Sequence, residues 1–176
     1  MVLAGQTLYG EMIQDLRRRI ASVNLCEGNG HLRHANVIEA YLQRITSDVK
    51  VARPMKLVID CGNGVAGGIA PALFRRMGCE VIELFCEVDG RFPNHHPDPS
   101  KPENLRDLQR VLRESDAELG LAFDGDGDRL GVVTKDGEII FSDRLLMLFA
   151  ADVLSRNPGA EIIYDVKCSR WVAESI

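Results

Sequence analysis

No apolar run in these 176 residues approaches the roughly twenty needed to cross a bilayer as a helix. Nor does the start, Met1-Val2-Leu3-Ala4-Gly5, have the charged head and long apolar stretch of a signal peptide. No basic tract is present, and the net charge of −5 argues against a nucleic-acid surface. The five cysteines, Cys26, Cys61, Cys79, Cys86 and Cys168, form no CxxC pair and are odd in number. They read as reduced thiols rather than as a disulfide frame or a zinc site. Internal repeats and low-complexity tracts are lacking too. These absences leave an acidic globular protein, expected to be cytoplasmic, with no membrane and no nucleic acid as partner. Its 45% hydrophobic and 27% charged residues are ordinary for such a protein, and its length suits one domain or one domain plus pieces of its neighbours.

What is present is an unusual hexapeptide, Asp124-Gly125-Asp126-Gly127-Asp128-Arg129. Carboxylates at alternate positions repel one another unless something cationic sits between them. Carboxylate oxygens are the ligands that Mg²⁺ and Ca²⁺ prefer, and glycines let the backbone fold so that several of them converge. The apolar run before it, Leu119 to Phe123, reads as a buried strand. The acidic loop then sits at a strand's carboxyl end, where α/β proteins place ligands. A solvated turn is the plainer alternative.

The remaining pattern alternates. Tyr9, Ile13, Leu16 and Ile20 predict an amphipathic helix within the first 20 residues, and a polar stretch from Cys26 to His31 reads as a linker. Val37, Ile38, Tyr41, Leu42 and Ile45 mark a second helix. Strands are expected at Lys56–Asp60, Glu80–Phe85, Leu119–Phe123, Leu130–Thr134, Glu138–Phe141 and Ile162–Val166. Helices are expected through Ile69–Met77 with Gly78 as its cap, through Leu105–Leu112, and from near Asp143 to Val153. Ser100 and Glu103 have the spacing of a capping box, and Lys135-Asp136-Gly137 that of a hairpin turn. The sum is an α/β fold with a mixed, mostly parallel sheet sandwiched between helices and an antiparallel hairpin edge. Both ends, Met1–Ala4 and Trp171–Ile176, read as interior stretches of a longer protein.

Three chemistries compete for the acidic loop. An EF-hand would want glycine at Arg129 and glutamate at Lys135, and helices rather than strands on either side. A haloacid-dehalogenase-like phosphatase would use Asp124 as nucleophile and Asp126 as acid/base, but wants Thr or Val at Asp128. A Mg²⁺ site for phosphoryl transfer would use all three aspartates, with the Arg129 fork offered to phosphate oxygens. Two other segments invite functional readings. His95-His96 reads as a loop brace, because adjacent side chains on an extended chain point apart. Asp60-Cys61-Gly62-Asn63-Gly64 resembles a phosphate cradle but lacks the spacing of GxGxxG or of a P-loop, which favours a structural turn.

The hexapeptide resembles the metal loop of the α-D-phosphohexomutases, the phosphomannomutase/phosphoglucomutase group. So do Asp60–Gly67, Phe92–Pro99, Asp143–Leu148 and Asp165–Cys168, in family order; Ser169 stands where the family has Thr. The resemblance implies an intramolecular phosphotransferase, an isomerase of mannose or glucose 1- and 6-phosphates. It would work through a phosphoserine and a bisphosphorylated sugar. Asp124, Asp126 and Asp128 would hold Mg²⁺, and Arg129 and Lys167 would bind substrate. Residues 1–33 would be the tail of a first domain, 34–140 a second domain carrying the metal loop, and 141–176 the opening of a third. The phosphoserine belongs to the first domain, upstream of Met1, so no catalytic residue is assigned and the chain alone is expected to be inactive without the rest of the parent polypeptide. A non-catalytic divalent-metal-binding module is the alternative from another class.

Overall fold

The computed structural model describes all 176 residues, which divide into two compact units, Met1–Asn36 and Val37–Ile176. The first holds a hairpin that the helical periodicity hides, β1 (Val2–Leu3) against β2 (Gln6–Thr7), followed by α1 (Glu11–Ala21). Ala4 and Gly5 turn the hairpin with φ of 47° and 80°, a left-handed pair that suits a two-residue loop. The expected helix is therefore real but begins after Tyr9. None of its residues is buried within this unit.

The second unit is a three-layer sandwich. In chain order it runs α2 (Ile38–Asp48), β3 (Lys56–Asp60), α3 (Ala70–Arg76), β4 (Glu80–Leu84) and α4 (Arg106–Glu114). It continues with β5 (Leu119–Phe123), β6 (Leu130–Thr134), β7 (Ile139–Ile140), α5 (Ser142–Arg156) and α6 (Trp171–Ser175). The sheet order is β4-β3-β5-β6-β7. β3 pairs in parallel with β4 and β5, while β5–β6 and β6–β7 are antiparallel. The sheet is mixed, as expected, with the two kinds of pairing in equal number. Hairpins, not helices, join its last strands.

Side-chain alternation builds a core on each face. Leu57, Ile59, Leu121 and Val132 pack with Ala70 and Cys79 on one side. Val58, Ala122 and Val133 meet Leu105, Leu108 and Leu112 of the α4 segment on the other. α3 ends as expected at Gly78, whose φ is +89°. The amides of Gly78 and Cys79 bond the carbonyls of Arg75 and Phe74 at 3.0 Å, the paired hydrogen bonds of a Schellman motif. Glu39 and Arg76 tie α2 to α3 through two bonds of 2.7 and 2.6 Å.

Two local expectations fail. The Ser100–Glu103 capping box does not form, because the Ser100 hydroxyl bonds Asp98 Oδ1 at 2.7 Å and a 3-10 turn, Pro102–Leu105, leads into α4. A short polar side chain that finds a nearer partner competes with the helix cap. Ile162–Val166 is also not a strand: it pairs with no other strand, and Ile163 and Val166 are 92% and 97% exposed. β-propensity expresses packing on a pleated, paired surface, and without a partner it builds nothing.

Leu108 is fully buried between α4 and the sheet. Leu108→Ala should cost about 2–5 kcal/mol in a urea titration, the usual range for a core cavity of this size. A loss below about 1 kcal/mol would mean that α4 does not pack as described.

Candidate metal centre

β3 and β5 run side by side with Asp60 opposite Ala122, so the loops that follow them emerge together at the carboxyl edge of the sheet. The acidic hexapeptide is the turn between β5 and β6, closed by the Asp124 amide on the Arg129 carbonyl at 3.2 Å. Gly127, at φ +77°, reverses the chain and bonds its amide to the Asp124 carbonyl. The turn after β3 lies against it, with the Val65 amide bonded to the Gly125 carbonyl at 3.1 Å. Gly64 is required there: a Cβ would sit 2.9 Å from Gly125 O and 3.0 Å from Asp124 O, wedging the loops apart.

One carboxylate oxygen from each of Asp124, Asp126 and Asp128 lies within 4.8 Å of the others, with Asp124 buried and the other two exposed. Octahedral Mg²⁺ needs oxygens about 2.1 Å away, hence about 3 Å apart for adjacent ligands and about 4.2 Å for opposite ones. The trio is within a small side-chain adjustment of that spacing, and its all-oxygen chemistry suits a hard cation. Electrostatics agrees. Asp126, and then Asp124, pushes the Asp128 carboxyl up from its ordinary value. Burial pushes Asp124 up as well, but hydrogen bonds from the Arg129 amide and guanidinium outweigh it and hold Asp124 below the usual carboxylate range. The Arg129 amide reaches Asp124 Oδ1 at 3.0 Å, and its Nε reaches Oδ2 at 2.7 Å.

Arg129 therefore faces inward on the trio. A second acceptor, Asp98 Oδ1, lies 3.2 Å from its Nη1. The guanidinium also borders a cleft of about 280 Å³ whose walls include Phe141 and Ser142. The same two residues wall a larger cavity of about 960 Å³, bordered by Lys167 and Arg144. Lys167 is on its rim, 85% exposed, with Nζ 3.5 Å from Asp165 Oδ2. Asp143 holds that rim by accepting the Ser169 amide at 3.3 Å. The structure thus gathers the three aspartates and Arg129 into one loop, and sets Lys167 on an adjoining cavity.

The segment from Asp60 to Gly64 is not a phosphate cradle. The amides of Asn63, Gly64 and Val65 are spent on the carbonyls of Phe85, Cys61 and Gly125, and that of Gly62 on Asp60 Oδ1. His95 braces this turn. Its Nε2 lies 3.2 and 3.1 Å from the two oxygens of the fully buried Asp60, and its Nδ1 lies 3.0 Å from the His96 carbonyl. Both ring nitrogens face acceptors, an arrangement that suits the imidazolium, and the hydrogen bond with Asp60 raises the histidine's pKa. Sequence reasoning found the bracing role of His95 but not its partner, which lies 35 residues away.

The family model "Phosphoglucomutase/phosphomannomutase, alpha/beta/alpha domain II" matches residues 39–137. The chain belongs to this family. The phosphomannomutase/phosphoglucomutase of Pseudomonas aeruginosa is 60% identical over 170 residues, 97% of this chain and 37% of the relative. A Neisseria gonorrhoeae phosphoglucomutase is 56% identical over 98% of this chain and 38% of its own length. The crystal structure of a phosphoglucomutase/phosphomannomutase family protein from Burkholderia thailandensis superposes with a TM-score of 0.88 at 58% identity, covering 98% of this chain and 39% of that one. The chain thus spans well under half the length of these relatives. Membership sets aside the haloacid-dehalogenase reading of Asp124. No helix is long and apolar enough to cross a membrane.

The His95–Asp60 pair makes a pH prediction. A histidine whose folded pKa is raised contributes stability that is whole below its unfolded value, about 6.5, and is lost as pH rises through the folded value. His95→Ala should destabilise the fold by about 1–3 kcal/mol in weak acid, since it leaves a buried carboxylate short of a donor. Thermal melts from pH 6 to 9 should show the gap between variant and parent shrinking as pH rises; a gap that widens would refute the charged pair.

Proposed function

We propose that this chain is the metal-binding central part of a phosphohexomutase that interconverts the 1- and 6-phosphates of mannose or glucose. The observation that carries the proposal is the converging trio Asp124, Asp126 and Asp128 at the carboxyl edge of the sheet, in a chain of this family. The domain reading is that residues 34–140 form the second domain, with 1–33 ending the first and 141–176 opening the third. The family match over 39–137 and the division after Asn36 support it.

The three aspartates would hold Mg²⁺. A bound divalent cation offsets charge on a transferring phosphoryl group, which is the main demand of this reaction. Asp124 would give the site a fixed ligand, being buried and oriented by Arg129, while the two exposed aspartates close on the cation from solvent. Arg129 and Lys167 would bind the substrate, each a donor that matches phosphate oxygens. Their placement on clefts sharing Phe141 and Ser142 fits an elongated anionic sugar phosphate better than a small ion alone. The phosphoryl donor, a phosphoserine, would come from the preceding domain of the parent polypeptide.

Joined to that domain and the two that follow it, the chain should convert glucose 1-phosphate to glucose 6-phosphate in the presence of Mg²⁺, while the 176 residues alone should not. Asp126→Asn should weaken Mg²⁺ binding about tenfold or more in isothermal titration, because ligand charge count sets affinity at such sites. A parent chain without mutase turnover, or a fragment with selective and tight Ca²⁺ binding, would favour the stand-alone metal module instead.

A further inference from the structure

Arg129 has carboxylate acceptors on two different loops. Its Nε donates to Asp124 Oδ2 at 2.7 Å and its Nη1 to Asp98 Oδ1 at 3.2 Å, while its amide takes the other Asp124 oxygen. Each oxygen of Asp124 therefore accepts a hydrogen bond from Arg129. A divalent cation that enters the loop must claim an oxygen that this residue already holds. The guanidinium is the counter-ion of the acidic trio, and a cation that shares Asp124 would repel it.

Asp98 is a prepared destination. It stands outside the trio, on the loop between β4 and α4, with its side chain only 19% exposed. The Ser100 amide and hydroxyl hold its Oδ1 at 3.1 and 2.7 Å, and its carbonyl accepts from Asn104 Nδ2 at 2.9 Å. Neighbouring Pro97 lies under the metal loop, where a Cβ on Gly125 would come within 3.3 Å of its ring. His95, three residues before Asp98, anchors the same segment to buried Asp60. The acceptor is thus fixed relative to the loop it serves. A guanidinium with five donors in a rigid fork can shift its weight between two carboxylates without leaving either region.

We propose that Asp98 is a positioning residue for Arg129: it keeps the guanidinium when a divalent cation takes Asp124, so that Arg129 moves aside and stays beside the metal. The proposal rests on the reading of Asp124, Asp126 and Asp128 as the metal ligands. Without Asp98 the guanidinium has only the trio to pair with, and it competes with the cation for it.

The test is Mn²⁺ binding, read by electron paramagnetic resonance of the free ion, to the 176-residue chain and to Asp98→Asn, Arg129→Gln and the double variant. Asparagine is near-isosteric and keeps an acceptor for Ser100; thermal melts check that each variant folds. Removing a negative charge near a cation weakens binding by itself, and that loss is the same whichever residue stands at 129. A loss routed through Arg129 is not. Asp98→Asn should weaken Mn²⁺ binding about tenfold with Arg129 present and less than about threefold in the Arg129→Gln background, a coupling within the range for interacting neighbours. Equal losses in the two backgrounds would overturn the proposal and leave the metal site standing. No Mn²⁺ binding by the unsubstituted 176-residue chain would remove the metal reading and this inference with it. A second measurement needs no variant: the Arg129 Nε–H resonance in nuclear magnetic resonance spectra should shift as Mg²⁺ saturates the chain. A resonance that stays in place would mean that the guanidinium never leaves Asp124, which also overturns the proposal.

Discussion

A carboxylate buried at the end of a strand must be met by positive charge or hydrogen-bond donors, or it does not stay ionised. Asp124 meets that demand with one residue, Arg129, which supplies both the amide and the guanidinium. The turn that brings Arg129 back over Asp124 is the turn that places Asp126 and Asp128 on the same side. The convergence of the three carboxylates is therefore a by-product of satisfying one buried acid. Gly127, at positive φ, allows the backbone to make that turn, and Gly64 allows the neighbouring loop to approach it.

The parallel register of β3 and β5 extends the arrangement. It sets Asp60 beside Ala122, two residues before Asp124, and so places the turn after β3 directly against the acidic loop. Asp60 is itself a buried acid at a strand end, answered by the Gly62 amide and by His95. The two strand-end acids thus pull in two supports from one segment, His95 toward Asp60 and Asp98 toward Arg129. A proline-rich segment suits this role, since its restricted backbone loses less entropy on being ordered than a flexible loop would.

What could be read in advance follows from how local each feature is. The acidic hexapeptide was legible because its like charges are adjacent in sequence, and the buried strand before it needs only five residues to show itself. The helices at Ile38–Asp48 and Ser142–Arg156 were legible from their periodicity. The supports were not. The Asp60–His95 and Asp98–Arg129 pairs join residues 35 and 31 positions apart, and nothing short of the strand order predicts either. The capping box at Ser100 failed for the opposite reason, since a still more local partner, Asp98, was available. At Ile162–Val166 the β-rich composition was correct as a preference and wrong as a structure, because a strand is a relation between two segments.

The division of the trio into one buried and two exposed aspartates bears on what kind of site it is. A structural ion site gains most from ligands that are all fixed before the ion arrives. Here only Asp124 is fixed, and to hold a cation Asp126 and Asp128 would have to give up side-chain freedom and close against mutual repulsion, which would cost affinity. The same openness leaves the two outer carboxylates facing solvent. If the trio holds a cation, a further oxygen, from a phosphate or from water, would be able to join it from that side. An open face is a liability in a structural site. In the proposed site, which would admit, stabilise and release a phosphoryl group, an open face is a requirement, and this asymmetry supports the proposed catalysis over simple ion binding.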